Sequence, residues 1–329
     1  GGTPFLLNSV ESNEYVINSD TLNPSGNKNF AIRIWIDENS GNEVLGKHYH
    51  GKIVVESANT KEKEPEKLCK RATTLHTETC SQTSTSSYCS GDGYTASGSM
   101  KTTTITYGNL GTNGVLTSGD AFDCDVNGDG VYDSTTERFY YVSDMTNGVT
   151  QDSNTAVLIY YNNVSGGVAS NSTTYAYDEN GDAYTNGPIT ALPQLPTTSQ
   201  WKNVSLINAT RNITDEKNTV RKSAFSYEGY AARLLTAQEV SAGCGFTVGK
   251  RTIGELSTKC KYLMENTKYS SSSLKTYGGW LESPHASSSN IAWGVDANHR
   301  YVNFRNYVAL VSSCGVRPAI EVLKSNISY

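Results

Sequence analysis

Residues 232–240 read Ala-Arg-Leu-Leu-Thr-Ala-Gln-Glu-Val and contain the strongest helix signal in the chain. The Thr236 hydroxyl can accept a hydrogen bond from the backbone N–H of Glu239, and the Glu239 carboxylate can reach back to the backbone of Thr236. This capping box predicts a helix that begins after Thr236 and ends near Gly243. Apolar residues at helical spacing predict a second short helix over residues 253–265.

Short strands and tight turns account for most of the remaining sequence. Only 18% of the 329 residues are charged and 36% are hydrophobic, whereas glycine (29 residues) and tyrosine (21 residues) are abundant. Helical cytosolic enzymes need more Glu, Lys, Leu and Ala for their helices and charged surfaces. Strands are predicted over residues 102–107, 139–142 and 156–161, where β-branched and aromatic side chains cluster. The sequence therefore predicts a β-rich α+β protein of an extracellular type, with few short helices.

The first 57 residues follow the pattern of a β-sandwich that is too short to be complete. Residues 29–36 alternate between two faces, which is the period of a strand with one buried side. Only about four strands fit into this segment, and an immunoglobulin-like sandwich needs about seven. We expect either further strands upstream of Gly1 or a strand donated by a neighbouring molecule. Residues 58–67 are charged and contain a proline, which predicts a linker to a second domain over residues 68–329.

The seven cysteines are spaced too widely for a CxxC zinc site. Cysteines that bracket short loops are typical of local disulfides in an oxidising compartment. The alternative is that several of them are buried thiols. The predicted disulfides are Cys80–Cys89 and Cys244–Cys260, with Cys69–Cys124 as a third pairing that leaves out Cys314.

Residues 123–133 read Asp-Cys-Asp-Val-Asn-Gly-Asp-Gly-Val-Tyr-Asp. The alternating oxygen donors and Gly130 match the start of an EF-hand or dockerin-type calcium loop. The closing carboxylate of such a loop belongs at its twelfth position, which is Thr136, and Glu137 follows one residue later. The alternative is a tight hairpin built from Asx turns. The predicted Ca²⁺ ligands are Asp125, Asn127, Asp129, Val131 through its carbonyl, Asp133 and Glu137.

Several classes of function are disfavoured by what the sequence lacks. A net charge of −5 without a dense Lys/Arg cluster argues against nucleic acid as a partner. No apolar run approaches the roughly 20 residues that span a bilayer. The catalytic signatures GxSxG, HExxH, GxxxxGK[ST] and GxGxxG are missing. His48 and His50 could share one strand face, but no third metal ligand accompanies them.

Four segments in the later part of the chain occur in the order of a known fold. These segments are ARLLTAQEV (232–240), YGGWLESP (277–284), NIAWGVD (290–296) and CGVRPAIEV (314–322). Their order resembles the formylglycine-generating-enzyme type of C-type-lectin-like domain, as it occurs in surface proteins of Gram-positive bacteria. The resemblance covers residues 68–329, and residues 22–55 resemble the last strands of camelysin/TasA-type β-sandwiches.

The resemblance implies a secreted or surface-anchored binding protein that is not an enzyme. The oxidase activity of that family needs a pair of copper-binding cysteines late in the domain, where this chain has one cysteine, Cys314. No catalytic residue is therefore carried over. The fold implies instead that loops around residues 283–290 and 298–306 present a surface to a glycan or protein ligand. The expected ligand-binding residues are Trp280, His285, Trp293, His299, Tyr301 and Arg305.

Two alternatives stand beside this expectation. Strand donation into the incomplete first domain would assemble the chain into an extracellular filament, with a second copy as the partner. A redox enzyme of the formylglycine-generating type would need Cys314 to be a reactive thiolate beside another thiol. In all cases we expect the protein at the cell surface of a Gram-positive bacterium, without a membrane span in this chain.

Overall fold

The structure, a computed structural model, describes most of the chain beyond residue 65. Spatial proximity divides the chain into two units, Gly1–Lys61 and Glu62–Tyr329. The partial β-sandwich predicted for residues 1–57 lies almost entirely outside the described residues and stays a prediction. The described residues are 28–29, 39–42, 45–46, 66–82, 101–146, 150–171, 173–245, 258–267, 269–270, 275–276, 278–296 and 303–329.

Strands dominate the second unit, which confirms a β-rich α+β fold. In chain order they are β1 Cys69–Arg71, β2 His76–Gln82, β3 Lys101–Tyr107, β4 Ala121–Cys124, β5 Arg138–Thr146, β6 Gln151–Tyr160, β7 Val164–Ser165, β8 Val168–Ala169, β9 Thr210–Thr214, β10 Val220–Ser226, β11 Tyr269–Ser270, β12 Lys275–Thr276, β13 Gly279–His285, β14 Ser288–Asp296, β15 Asn303–Val308, β16 Ala319–Leu323 and β17 Ile327–Ser328. The described residues form two α-helices, α1 Ala183–Asn186 and α2 Ala237–Cys244. Short 3₁₀ helices cover Leu192–Gln194, Thr258–Met264 and Lys324–Asn326.

A six-stranded sheet forms the centre of this unit, with the strand order β16–β6–β5–β4–β1–β17. Its neighbouring strands run antiparallel, except that β1 and β17 pair in parallel. Phe139 of β5 lies opposite Tyr160 of β6, and Tyr140 lies opposite Ile159. Aromatic and β-branched cross-strand pairs of this kind stabilise an antiparallel ladder. The smaller sheets include β13–β14–β15, β9–β10 and β2–β3.

Each face of the central sheet buries its own hydrophobic core, because successive side chains of a strand point to opposite faces. In β5, Phe139 and Tyr141 belong to one core, and Tyr140 and Val142 belong to the other. The second core also contains Val240 of α2. A strand that is buried on both faces reads as a continuous apolar run, which explains the aromatic and aliphatic stretches of β5 and β6.

Helix α2 begins where the sequence predicts and ends slightly later. The backbone N–H of Glu239 donates to the Thr236 hydroxyl at 3.1 Å, and the backbone N–H of Thr236 donates to the Glu239 carboxylate at 2.9 Å. The helix continues past Gly243 to Gly245, which caps it with a left-handed φ of 76°. Gly243 instead permits close packing, since a Cβ there would lie 2.4 Å from the carbonyl oxygen of Val142 in β5.

A buried guanidinium joins the start of α2 to the central sheet. Arg233 donates from Nη1 to Oε2 of Glu239 at 2.8 Å and from Nη2 to Oε1 at 2.7 Å. Its Nε donates to Oε1 of Glu321 in β16 at 2.7 Å. Bidentate, charge-assisted hydrogen bonds fix direction as well as distance. The Arg233 side chain therefore determines where the beginning of the helix lies against the sheet.

The same network reaches β9 and β13. Arg211 of β9 donates from Nη1 to Oε1 of Glu321 at 2.9 Å, and its Nε lies 3.2 Å from Oε1 of Glu282 in β13. Removing one partner from a buried ion pair leaves a charge without compensation, so these contacts strongly favour one arrangement of the elements. We call this set the buried ionic cluster: Arg211, Arg233, Glu239, Glu282 and Glu321.

Two disulfides brace the described part of the unit. Cys244–Cys260 confirms the predicted local disulfide and joins the end of α2 to the 3₁₀ helix Thr258–Met264. Cys69–Cys124 confirms the third pairing and joins the neighbouring strands β1 and β4. Both covalent bonds therefore connect elements that also pack against each other.

The other cysteine and helix predictions have different outcomes. Cys89 lies outside the described residues, so the Cys80–Cys89 disulfide stays a prediction. Cys314 is buried and takes part in neither described disulfide. The α-helix predicted over residues 253–265 is corrected within its described part, where a 3₁₀ helix with a kink at Cys260 replaces it.

Removing the Cys69–Cys124 disulfide is expected to cost more stability than removing Cys244–Cys260. The first pair is separated by 55 residues and the second by 16. Because the entropy of the unfolded chain falls further when a longer loop is closed, we expect losses of about 4 and about 3 kcal/mol, respectively. Urea unfolding of the two double Cys→Ala variants measures both values. Equal losses, or a larger loss for the shorter loop, would contradict this account.

Candidate functional site

The predicted calcium loop connects β4 to β5 and folds around the carboxylate of Asp125. Its Oδ1 accepts the backbone N–H groups of Gly128 at 2.9 Å and Asp129 at 3.0 Å, and its Oδ2 accepts that of Gly130 at 3.1 Å. The side-chain amide of Asn203 donates to Oδ2 and to the carbonyl oxygen of Asp125, both at 3.1 Å. A short carboxylate side chain that binds nearby N–H groups in this way stabilises a tight turn.

Three carboxylates converge inside this loop. One oxygen from each of Asp125, Asp129 and Glu137 lies within 4.8 Å of the others. Burial raises the pKa of Glu137, and the charges of Asp125 and Asp129 raise it further, against hydrogen bonds from two backbone N–H groups. Like charges held this close favour a proton or a cation between them. The three oxygens could therefore hold a metal ion, and we call these residues the acidic triad.

Glu137 reaches the triad although it lies one residue beyond the expected closing position. Its backbone N–H donates to the carbonyl oxygen of Asp133 at 2.8 Å, which closes one helical turn before β5. This turn accommodates the one residue by which Glu137 lies beyond the twelfth position of the loop. Carboxylate oxygens are hard ligands, of the kind that Ca²⁺ and Mg²⁺ prefer, whereas softer metals select thiolate or imidazole. The donor set therefore fits the predicted Ca²⁺.

Asp133, another predicted ligand, binds its own neighbours in this structure. Its Oδ1 accepts the backbone N–H of Thr135 at 2.8 Å and the hydroxyl of Thr135 at 2.7 Å, and its Oδ2 accepts the hydroxyl of Thr136 at 2.8 Å. These hydrogen bonds lower the pKa of Asp133 to about 2. The carboxylate is thus used to hold the turn that carries Glu137.

The last two predicted ligands pack around Asp129. Asn127 accepts the backbone N–H of Asp129 at 2.8 Å and donates from its amide to the Asp129 carboxylate at 3.2 Å. The backbone N–H of Val131 donates to the same carboxylate at 2.8 Å. The structure therefore brings Asp125, Asp129 and Glu137 together, whereas the ligand roles of the Asn127 amide oxygen and the Val131 carbonyl stay predictions.

Two of the expected ligand-binding residues are buried. Trp280 is 1% exposed and Trp293 is 2% exposed. The indole N–H of Trp280 donates to the carbonyl oxygen of Tyr175 at 2.8 Å, and that of Trp293 donates to Oε2 of Glu216 at 2.9 Å. Burying the ring while satisfying its N–H is the most stable use of an indole. The expected surface role of both tryptophans is therefore corrected to a role in the interior.

The other four expected residues are spread over the hairpin β13–β14 and the segment that follows. His285 is half-buried beside Trp293, with ring centroids 5.2 Å apart. Arg305 lies in β15 opposite Gly294. His299 and Tyr301 lie outside the described residues, so their role stays a prediction.

A half-exposed group of polar and aromatic side chains surrounds the turn between β13 and β14. The guanidinium carbon of Arg221 lies 4.4 Å from the ring centroid of Tyr184, and the Tyr184 hydroxyl donates to the carbonyl oxygen of His285 at 2.6 Å. The Ser287 hydroxyl lies 3.0 Å from Nδ1 of His285. We call this group the hairpin patch: Tyr184, Arg221, His285 and Ser287.

Two buried carboxylates hold the hairpin patch in place. Oδ2 of Asp215 accepts Nε of Arg221 at 2.6 Å. Oε2 of Glu216 accepts the backbone N–H of Ala286 at 2.8 Å and the indole N–H of Trp293 at 2.9 Å. Arg221 also donates from Nη2 to the carbonyl oxygen of Ala286 at 2.6 Å. The positions of the exposed groups are therefore set by groups beneath them.

Sequence reasoning missed Tyr184 and Arg221, because the hairpin patch combines three segments that are far apart in the chain. Residues 178–182 read Asp-Glu-Asn-Gly-Asp, and Asp is a common helix N-cap residue. In the structure Asp182 accepts the backbone N–H groups of Tyr184 and Thr185 and caps α1. Nothing in the sequence around Arg221 indicated that its side chain lies over an aromatic ring.

His76 connects the start of β2 to two other segments. Its Nδ1 lies 2.5 Å from Oε1 of Glu265, and its Nε2 lies 2.5 Å from the carbonyl oxygen of Ser134. Both ring nitrogens face acceptors, and both can donate only when both carry protons, so these contacts favour the imidazolium form. Burial and the charge of Arg138 oppose this form, but the hydrogen bond and charge of Glu265 prevail and raise the pKa of His76.

Comparisons with protein-family models, with curated proteins and with solved structures find no match to this chain. The resemblance to C-type-lectin-like domains therefore stays a prediction. None of the helices in the described residues has the length and apolar content needed to cross a membrane. Function is inferred below from the acidic triad and the hairpin patch.

His76→Gln is expected to destabilise the protein at about pH 6 and to have a smaller effect at about pH 9. The folded pKa of His76 is raised above 6.5, so its stabilisation is fully present below that pH and is lost as pH rises through the folded pKa. Hydrogen bonds to charged groups contribute about 1.5–3 kcal/mol, which sets the expected loss at the lower pH. Urea unfolding at both pH values measures it. Glu265→Gln should remove the same pH dependence, and a loss that is equal at both pH values would contradict the imidazolium.

Proposed function

We propose that this chain is a secreted, non-catalytic binding protein that is located at the cell surface of a Gram-positive bacterium and uses the hairpin patch to recognise a glycan. The observation that carries the proposal is a half-exposed group of aromatic and guanidinium side chains that buried Asp215 and Glu216 hold in position. The location follows from the family resemblance of residues 68–329. The function follows from the chemistry of the patch.

The hairpin patch offers the groups that sugars require. Aromatic rings present a flat apolar face with a polar edge, and the planar guanidinium of Arg221, whose Nε and Nη2 bind Asp215 and Ala286, holds its remaining N–H groups in fixed directions. The ring of Tyr184 and the guanidinium of Arg221 are already stacked, at 4.4 Å. Groups that are held in place before binding lose little conformational entropy when the ligand arrives. This favours a binding surface over a loosely ordered polar turn.

Secretion is supported by the two described disulfides, because disulfides persist in oxidising compartments. The non-catalytic role is supported by how the buried charges are used. Arg211 and Arg233 bind carboxylates of neighbouring elements, and His76 is held between two acceptors. These groups stabilise the fold, so their charge and burial do not require a catalytic role.

We assign Ca²⁺ as the cofactor of the acidic triad. Asp125, Asp129 and Glu137 supply three carboxylates, and the backbone carbonyl groups of the loop and water can complete the six to eight oxygens that Ca²⁺ takes. The ion would neutralise the repulsion among the three charges. Its role here is to stabilise the connection between β4 and β5, and the ligand need not contact it.

Substitutions in the hairpin patch are expected to weaken glycan binding. His285→Ala and Arg221→Gln each remove one contact group, and each should raise the Kd of a glycan identified on an array by at least about tenfold, the effect of losing one good hydrogen bond to a charged group or one ring contact. Titration calorimetry measures the Kd. Val168→Ser, at an exposed position in another hairpin, is the matched surface control and should leave it unchanged.

A protein ligand on a host-protein array in place of a glycan would contradict the glycan assignment. An array without hits, or a hit whose Kd does not respond to either patch variant, would contradict the proposed function itself.

Calcium is expected to raise the melting temperature of the protein, because a ligand that binds only the folded state stabilises it. Asp129→Ala should abolish this rise, because it removes one of the three carboxylates of the triad. Asp133→Asn should retain it, since Asp133 binds Thr135 and Thr136 and lies outside the acidic triad. Asp182→Asn, in the separate turn of residues 178–182, is the matched control and should retain the rise. Scanning calorimetry with Ca²⁺ and with a chelator measures the shift, and identical melts in both conditions would remove Ca²⁺ from this account.

A further inference from the structure

The buried ionic cluster contains one more carboxylate than guanidinium. Its acids are Glu239, Glu282 and Glu321, and its bases are Arg211 and Arg233. The side chains of all five are at most 4% exposed. Full ionisation would therefore leave one negative charge without compensation in the interior. An isolated buried charge is costly, and such a group usually takes up a proton instead.

Two of the three carboxylates each accept four N–H groups. Glu239 accepts Nη1 and Nη2 of Arg233 and the backbone N–H groups of Thr236 and Thr146. Glu321 accepts Nε of Arg233, Nη1 of Arg211 and two backbone N–H groups. Four donated N–H groups stabilise the ionised form of a carboxylate strongly.

Glu282 accepts fewer hydrogen bonds than Glu239 and Glu321. Its Oε2 accepts the hydroxyl of Tyr227 at 3.0 Å. Its Oε1 lies 3.2 Å from Nε of Arg211, but neither atom makes a hydrogen bond, and both are buried. Among the described residues, Arg211 is the one cation that forms a salt bridge with Glu282.

The remaining groups around Glu282 compensate a negative charge only in part. Tyr177 donates its hydroxyl to the backbone carbonyl of Glu282 at 2.6 Å, and Tyr227 donates to the side chain. Burial raises the pKa of both tyrosines well above 10.0, so both stay neutral donors. Arg233 already binds Glu239 and Glu321, and the charge of Glu239 repels that of Glu282.

We propose that Glu282 is a neutral carboxylic acid in the folded protein at neutral pH. Loss of its proton at higher pH then destabilises the buried ionic cluster, which makes the cluster a pH-sensitive element of the fold. Burial, aided by the charge of Glu239, raises the pKa of Glu282 against the attraction of Arg211 and Arg233. The same two guanidiniums overcome burial at Glu321 and lower its pKa. The pKa values of Glu282 and Glu321 are thus shifted in opposite directions within one cluster.

The direction of the effect on stability follows from linkage. The folded pKa of Glu282 lies above the ordinary 4.5, so the folded state binds more protons than the unfolded chain once pH exceeds that value. The free energy of unfolding therefore falls as pH rises from 4.5 through the folded pKa. Glu282 lies in β13, which leads directly into the turn at His285. Ionisation thus weakens the strand that supports the hairpin.

Infrared spectroscopy of protein labelled with ¹³C-glutamate detects the proton directly. Wild-type protein at neutral pH should show the carbonyl stretch of a protonated carboxylic acid, shifted by the label. Glu282→Gln should weaken this band, and Glu228→Gln, which replaces an exposed glutamate outside the cluster, is the control and should leave it unchanged. A wild-type spectrum without the band would overturn the proposal even if no variant folds, and so would a band of undiminished intensity in Glu282→Gln.

Urea unfolding between about pH 5 and about pH 6.5 tests the consequence below the range in which His76 loses its proton. The wild-type midpoint should fall as pH rises, while that of Glu282→Gln should stay level or rise. Glu321→Gln should unfold more easily than wild type at both pH values, because it removes an anion that two guanidiniums need. A Glu282→Gln protein that keeps the wild-type slope would overturn the pH-sensitive role. Neither experiment depends on a ligand, so their results are separable from the test of glycan binding.

Discussion

The arrangement of the second unit depends on the guanidinium of Arg233. Its three nitrogens bind Glu239 at the start of α2 and Glu321 in β16. Glu321 also accepts a hydrogen bond from Arg211 in β9, and Arg211 forms a salt bridge with Glu282 in β13. Because an unpaired buried charge costs about 3–5 kcal/mol, any shift of one of these elements is opposed by all the others. The hydrophobic cores supply most of the stability, whereas the ionic cluster selects one packing.

Buried aspartates give the surface loops their shape. Asp125, Asp178 and Asp215 each accept backbone N–H groups two to five residues further along the chain. The first turn carries the acidic triad, the second leads to the cap of α1, and the third positions Arg221. A charged acceptor inside a loop organises it without requiring a large core. This explains how a chain with few charged residues keeps these loops ordered.

Local features of the fold and the site were predictable, and nonlocal ones were not. The capping box at Thr236 and the pattern of residues 125–137 involve neighbours in sequence, so their chemistry is visible in the sequence itself. Trp280 and Trp293 were misplaced because a tryptophan in a strand has the same local signature whether it is buried or exposed. Tyr184 and Arg221 meet only after three segments have packed together. No periodicity or motif could have paired them.

The sequence by itself determined the strand-rich class, the start of α2, and the disulfide between Cys244 and Cys260, since each of these depends on short-range propensity or short loop closure. It also placed the carboxylates that form the acidic triad. The tertiary structure alone decided which of those carboxylates converge, which rings are buried and which acid of the ionic cluster lacks a full set of donors. Those properties depend on distances between segments remote in the chain, which only the packed fold defines.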